Sequence, residues 1–264
     1  MTTVPTIPAV SPSERRDRRD PGRPGRPERS QARAGLLFAT PAVTLFLIFT
    51  VLPVIGALGL SFTDYDILSP PTWVGLDNYA RLLDDETFHT TLVNILFYCA
   101  MFIPAMVGLS LLLALALNRR LPAMGVFRTI YFIPLVTSPV AAATVWTWML
   151  NGHYGPVNEL LGLIGIDGPA WLSDSDTAMI AIVVVTLWQG VGWNMLVYLA
   201  GLQNVPSYLY EAAALDGAGK VRTFVHITWP SLRTTTFFVT TLSLIGAFQL
   251  FDQAYIFSNG SGGP

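Results

Sequence analysis

Three sets of side chains in this chain have types and spacings that suit chemistry. The first lies in Pro206–Pro230, PSYLYEAAALDGAGKVRTFVHITWP, a mostly polar segment between long apolar runs. At its core Tyr210, Glu211, Ala212, Ala213, Asp216, Gly217 and Ala218 put one fixed charge beside small residues that let another backbone come close. The second set is Gln189, Trp193 and Asn194, in which Gln189 and Trp193 at i and i+4 share a helix face. The third is Gln249, Asp252 and Gln253, which share a face in the same way. Amides offer donor and acceptor together, and an indole face can cover a pyranose ring, so the last two sets suit the path of a polyhydroxylated solute. Plainer uses compete with each. Amides hold membrane helices together, Trp193 can belong to an interfacial aromatic belt, and Asp252 can pack or gate at the outer leaflet. A short amphipathic elbow can rest on lipid.

Other chemistry is disfavoured. The string ALDGAGKV has the outline of a phosphate-binding loop, but Ala214 stands where the first Gly belongs and Val221 where Ser or Thr belongs. His89, His153 and His226 are far apart and form no metal spacing. The single Cys99 lies in an apolar run and has no partner for an intrachain disulfide. No cluster of catalytic types falls within the apolar stretches, which argues against an intramembrane enzyme.

The elements that must position these side chains are membrane helices. Of 264 residues 52% are hydrophobic and 12% charged, against about 25% charged in soluble domains. The expected fold is an all-α integral membrane protein with five spans, near Gly35–Leu60, Thr91–Leu117, Thr129–Leu150, Thr177–Gly201 and Thr234–Phe257. Residues 1–33 are rich in Arg, Pro and Ser and are expected to form a disordered tail, with 34–264 as the membrane domain. The tail's basic patch has no aromatic interleaving, so nucleic acid is not an expected partner. Within the elbow, Pro206 and Ser207 start a helix, Glu211 suits its first turn, and Gly217 and Gly219, with φ > 0 available at each, break it. A second helix is expected from Lys220, with Val221, Phe224, Val225 and Thr228 on one stripe and Pro230 at its end.

Charge orients the chain. A cytoplasmic N-terminus places the tail, the loop NRRLPAMGVFR and the elbow inside, together with 14 of the 15 Lys and Arg, and leaves only Arg81 outside. The elbow then faces the cytoplasm. On this topology Gln189 lies ~18 Å below the outer end of its span, near the middle of a ~30 Å core, and Asp252 ~27 Å above the inner end of its own. A polar group at the midplane needs a reason, whereas one at the rim reaches water, which favours the fourth span as the path. The first four spans hold no charge and the fifth only Asp252, so no relay for an ion gradient is visible. Five spans also leave the C-terminus outside, where SNGSGGP would lead back into the membrane; a sixth span is expected, and the chain reads as truncated at its C-terminus.

The elbow, in the form YEAAALDGAGKVRTFVHITWP, resembles the EAA motif of the membrane subunits of binding-protein-dependent ABC importers. WVGLDNYARLL, FRTIYFIPLVTSPVAAATVWTWMLNGHYGPVNELL and IGAFQLFDQAYIFSNGSGGP resemble the carbohydrate (maltose-type) branch, in the same order from about Gly35 onward. Val221 and Trp229 stand where that family usually has Trp and Leu, and SNGSGGP replaces Thr-Gly-Gly-Gly-Pro; neither change touches Glu211 or Gly217. The resemblance implies a permease subunit, not an enzyme, that forms part of a sugar path across a bacterial-type plasma membrane. It also implies that the elbow is the coupling helix seated on a cytoplasmic ATPase. Implied partners are a second homologous permease, two ATPase subunits that bind ATP and Mg, and an extracytoplasmic sugar-binding protein, with no cofactor held by this chain. Alternatives are an importer of the same build for glycerol phosphate or amino acids, an ion-coupled transporter, and a non-transporting scaffold for an ATPase.

Overall fold

The computed structural model of the protein describes residues 29–118 and 124–258. Readings that rest on residues 1–28, on Arg119 and Arg120, and on 259–264 lie outside the described residues. The chain divides into two compact units, Met1–Asp84 and Asp85–Pro264, each built on its own logic. The division falls in the loop after the first expected span, which turns back onto that span's end.

In the first unit, α1 (Arg29–Phe46), a π-helical turn (Leu47–Val51) and α2 (Leu52–Leu60) follow one another. Residues 29–33, expected in the disordered tail, are thus helical. Gly35–Leu60 is long and apolar enough to cross a membrane. Pro53 removes one backbone donor and its ring presses on the carbonyl four residues back, in the π turn; the wider turn takes up the mismatch. Beyond Leu60, β1 (Thr63–Asp64) and β2 (Thr72–Trp73) pair antiparallel, a small hairpin that the helical periodicity does not announce. Asn78, in α3 (Asp77–Asp84), donates through its amide to the Ser61 carbonyl at 3.0 Å and the Thr63 carbonyl at 2.9 Å. Phe62 stacks on Trp73 with ring centroids 5.7 Å apart. At the hairpin tip Ile67 has φ 71°, rare for a β-branched residue. Its neighbour Asp66 accepts from the Ser69 hydroxyl and from the Ser69 and Leu68 amides, and these donors, the hydroxyl first, hold its carboxyl below the usual carboxylate range.

The second unit is organised by two long helices, α4 (Glu86–Leu117) and α8 (Ser175–Gln203). Both start a few residues before the apolar run does, because an aspartate caps each. Asp85 accepts from the Thr87 and Phe88 amides, and Asp174 from the Asp176 amide. Leu111, Ala114, Met195, Tyr198, Leu232 and Val239 are buried together where α4, α8 and α12 (Arg233–Phe248) meet. Gly192 serves another contact of α8. A Cβ there would fall against the carbonyl of Tyr131 in α5 (Met124–Val136).

The five unbroken spans expected from the sequence are corrected here. Among the described residues three runs cross as single helical stretches, Gly35–Leu60, Glu86–Leu117 and Ser175–Gln203. The third expected span is broken: α5 ends at Val136, α6 (Pro139–Met149) begins after Ser138, and the two are bent by 104°. Pro139 has no N–H for a continuing helix and disfavours helical backbone at the residue before it, and Ser138 is extended at ψ 131°. The fifth is broken too. After α12 the chain leaves the helix at Gln249 and resumes at α13 (Asp252–Phe257), where the charge of Asp252 suits the new helix's N-terminus. Between α6 and α8 lies α7 (Pro156–Leu163), tied to the following loop by the Asn158 amide, which donates to the carbonyls of Gly152, Gly168 and Pro169.

The elbow also departs from expectation. After α9 (Ser207–Leu215), α10 (Lys220–Thr223), a second π turn (Phe224–Thr228) and α11 (Trp229–Ser231) run on without a stop at Pro230. The helix ends instead at Leu232, whose ψ is 2°. Here again a π turn sits just ahead of a proline and contains the residue four back from it. Gly219 has φ −70°, so only Gly217 uses the left-handed region in the elbow.

Gly192→Ala is expected to lower stability by about 1–3 kcal/mol, since the backbone of Tyr131 would have to move to admit the methyl group. Thermal unfolding of the purified protein checks this. Gly108→Ala, at a position with nothing within 4 Å, provides the comparison and is expected to be neutral or mildly stabilising.

Candidate functional site: an elbow and an amide bridge

The elbow is terminated by backbone geometry. The Gly217 amide donates to the Ala214 carbonyl at 3.1 Å and the Ala218 amide to the Ala213 carbonyl at 2.9 Å, with Gly217 at φ 71°. This is the paired closure that glycine permits at a helix C-terminus. Ala213 turns inward and is buried, whereas Glu211, Ala212 and Asp216 are exposed and Ala218 half-buried. Leu215 is 90% and Val221 77% exposed, so the elbow presents apolar side chains as well as the Glu211 carboxylate. Tyr210 faces the other way, with its hydroxyl 3.2 Å from the Thr228 hydroxyl, bracing α9 against the second π turn. Tyr210 is therefore an internal brace of the elbow, and the outward face belongs to Glu211 and its small neighbours.

One residue from each of the two polar groups of the spans meets the other, Gln189 with Gln253. The Gln189 amide donates to the Thr137 carbonyl at 3.2 Å, and its oxygen accepts from the Gln253 amide at 2.8 Å. Thr137 sits in the break of the third span and Gln253 just past the break of the fifth. One half-buried glutamine near the middle of α8 thus joins both irregular segments. Beside it, Trp188 meets Trp146 of α6 edge to face at 5.5 Å.

The remaining expected residues are placed differently. Trp193 is exposed and Asn194 is buried, donating to the Gly190 carbonyl of its own helix at 3.3 Å. Gln249 and Asp252 are exposed, and Gln249, Asp252 and Gln253 do not share a helix face, because the break at Gln249–Phe251 separates α12 from α13. The depth assigned to Asp252 assumed a continuous helix and falls with it. Sequence reasoning missed Thr137, whose signal was the Ser138–Pro139 pair beside it. It also missed a cleft of about 640 Å³ between α4, α8 and α13, lined in part by Thr91, Asn94, Ser175, Phe251, Tyr255 and Ser258. Those residues lie in different spans and loops, and no spacing connects them.

Residues 87–263 match the family model described as a binding-protein-dependent transport system inner membrane component. A probable ABC transporter permease protein of Bacillus subtilis (strain 168), YesP, is 38% identical over 234 residues, covering 88% of this chain and 75% of that protein. The arabinooligosaccharides transport system permease protein AraP of the same organism is 36% identical, covering 86% and 72%. A crystal structure of a bacterial alginate ABC transporter, in complex with an alginate pentasaccharide-bound periplasmic protein, superposes with a TM-score of 0.72 at 26% identity. That match covers 84% of this chain and 75% of the other.

If the amide bridge is one unit, Gln189→Leu and Gln253→Leu are expected to be non-additive. A double-mutant cycle on thermal or denaturant unfolding should give a coupling of about 0.6–1.7 kcal/mol, the scale of hydrogen bonds between membrane helices. Additive losses would mean that the two side chains do not act on each other.

Proposed function

The chain belongs to the family of binding-protein-dependent transport system inner membrane components, and on that premise we propose that it is the permease subunit of a sugar importer. It forms part of the path, and ATP hydrolysis in a separate subunit drives it. A relative that carries arabino-oligosaccharides and a structural neighbour crystallised with a pentasaccharide-bound periplasmic protein support the sugar. The observation that carries the reading is the elbow: a glycine-closed helix with an exposed charge and exposed apolar side chains, three residues past the end of α8.

The assembly holds a second homologous permease, two cytoplasmic ATPase subunits with ATP and Mg²⁺, and an extracytoplasmic sugar-binding protein. The N-terminal tail and the elbow lie in the cytoplasm, and residues 34–264 form the transport domain in a bacterial-type plasma membrane. Tyr208–Asp216 docks on the ATPase through Glu211 and the alanines. Only one residue, Asn204, and a Val-Pro pair separate α8 from the elbow, so a displacement of the docked helix reaches α8 with little slack. Through Gln189, α8 passes it to the breaks at Thr137 and Gln253. The path follows that face of α8, past Gln189, Trp193 and Asn194, with Gln249, Asp252 and Gln253 on its other side.

Glu211→Ala and Gly217→Val are expected to lower both co-purification of the ATPase and ATP-dependent sugar uptake by about tenfold. For Gly217 the cause is a left-handed position that costs a β-branched residue more than about 1–2 kcal/mol. Unchanged association and uptake in both variants would remove the coupling role. Uptake that survives ATP depletion and collapses with the proton gradient would make this an ion-coupled transporter. Loss of ATPase association without any uptake by the wild-type complex would leave a scaffold, and uptake of another solute in place of sugars would move the substrate class.

A further inference from the structure

Neither the bridge nor the elbow uses the 640 Å³ cleft beside α13. Its walls come from the starts of α4 and α8 and from α13. Thr91 and Asn94 lie ~8–12 Å along α4 from Glu86 at 1.5 Å per residue, and Ser175 is the first residue of α8. The cleft therefore opens at the end of the second unit opposite the elbow and runs along α8 as far as Ile182, ~10 Å short of Gln189. One wall offers the Thr91 and Ser175 hydroxyls and the Asn94 amide. Phe251 and Tyr255 also line it, four residues apart with ring centroids at 5.4 Å and an interplanar angle of 19°, and both are more than half exposed. A stacked aromatic pair in one cleft with hydroxyl and amide groups offers the chemistry that holds a pyranose or furanose ring: an aromatic face for the ring's apolar C–H groups, and polar groups for its hydroxyls. The volume falls in the range of small-molecule sites and admits one to two sugar rings.

We propose that this cleft is a first-contact saccharide subsite, distinct from the residues around Gln189 and reached by the sugar before them. The proposal rests on the sugar-importer reading. It also gives α13 two roles. Phe251 and Tyr255 line the cleft while Gln253, between them in sequence, is hydrogen-bonded to Gln189. A sugar stacked on the aromatic pair bears on the same short helix that anchors the amide bridge, so loading of the cleft and the position of the break are linked.

The test uses the complete transporter with its binding protein in proteoliposomes, with maltose, lactose and an arabino-oligosaccharide as probes. Tyr255→Leu, which keeps an apolar side chain but loses the ring, should raise the uptake KM about tenfold with the maximal rate held within about twofold. Asn94→Leu should act in the same direction, and Tyr255→Phe should retain the wild-type KM. A side chain needed only for packing would lower the maximal rate and the yield of assembled complex, and would not separate Leu from Phe by KM. Wild-type uptake with an unchanged KM in Tyr255→Leu and Asn94→Leu overturns the subsite alone. A wild-type complex that assembles and hydrolyses ATP but moves none of the three sugars overturns the reading beneath it, and the subsite with it.

Discussion

A backbone carbonyl released from a helix inside a membrane has no water to turn to, and leaving it bare costs several kcal/mol. The second unit of this protein contains two such irregular places, the bend at Thr137–Ser138 and the break at Gln249–Phe251. Gln189 answers for the first directly, through the Thr137 carbonyl, and holds the second through Gln253. A straight, well-capped helix thereby fixes two helices that are not straight. The large bend between α5 and α6 depends on this arrangement, as does the position of the short α13, because neither corner is held by proline geometry alone. The glycines of α8 serve the same end. Gly192 allows α5 to come close enough for Gln189 to reach the backbone just past its end.

The prolines divide by what surrounds them. Pro41, Pro104 and Pro134 lie inside helices without breaking them. Pro53 and Pro230 follow π turns that widen the helix where the ring would press on the preceding turn. Only Pro139 ends in a corner, and it alone has a side chain from another helix paired with the carbonyl two residues ahead of it. The missing donor is common to all six. Whether the helix continues, swells or bends is decided by where the freed backbone groups find partners.

This contrast also explains how much could be read from the sequence. The first span is legible to its limits, Gly35–Leu60, and the second and fourth within a few residues, because long apolar runs leave little choice. The misplaced starts of α4 and α8 trace to Asp85 and Asp174, polar caps outside the apolar windows. The elbow was legible in its first half, where Ser207 and Gly217 carry local signals, and not in its second, where Pro230 was taken as a stop. The breaks were not legible. Ser138–Pro139 looks like the tolerated prolines, and Gln249–Phe251 contains no breaker. The hairpin after α2 depends on Asn78 reaching back to Ser61 and Thr63, a pairing that alternation over two-residue strands cannot announce. The polar residues stand out by type. Their partnership across 64 positions was beyond any spacing rule.

Finding Gln189 in a bridge does not settle it as mere helix contact. Its amide has two N–H groups and its oxygen two lone pairs, and the bridge occupies one of each. One donor and one acceptor stay unspent, and the same holds for Gln253 on the donor side. Hydrogen bonds between membrane helices average about 0.6 kcal/mol and reach about 1.7. At that strength the bridge sets a register and does not lock it, since thermal motion can exchange one amide partner for another. A glutamine suits such a position better than a charged residue, whose partner could be released only at a far larger cost in a low-dielectric interior. The scarcity of charge along these spans, Asp252 apart, then has a mechanical meaning: the contacts between them are weak enough to be rearranged.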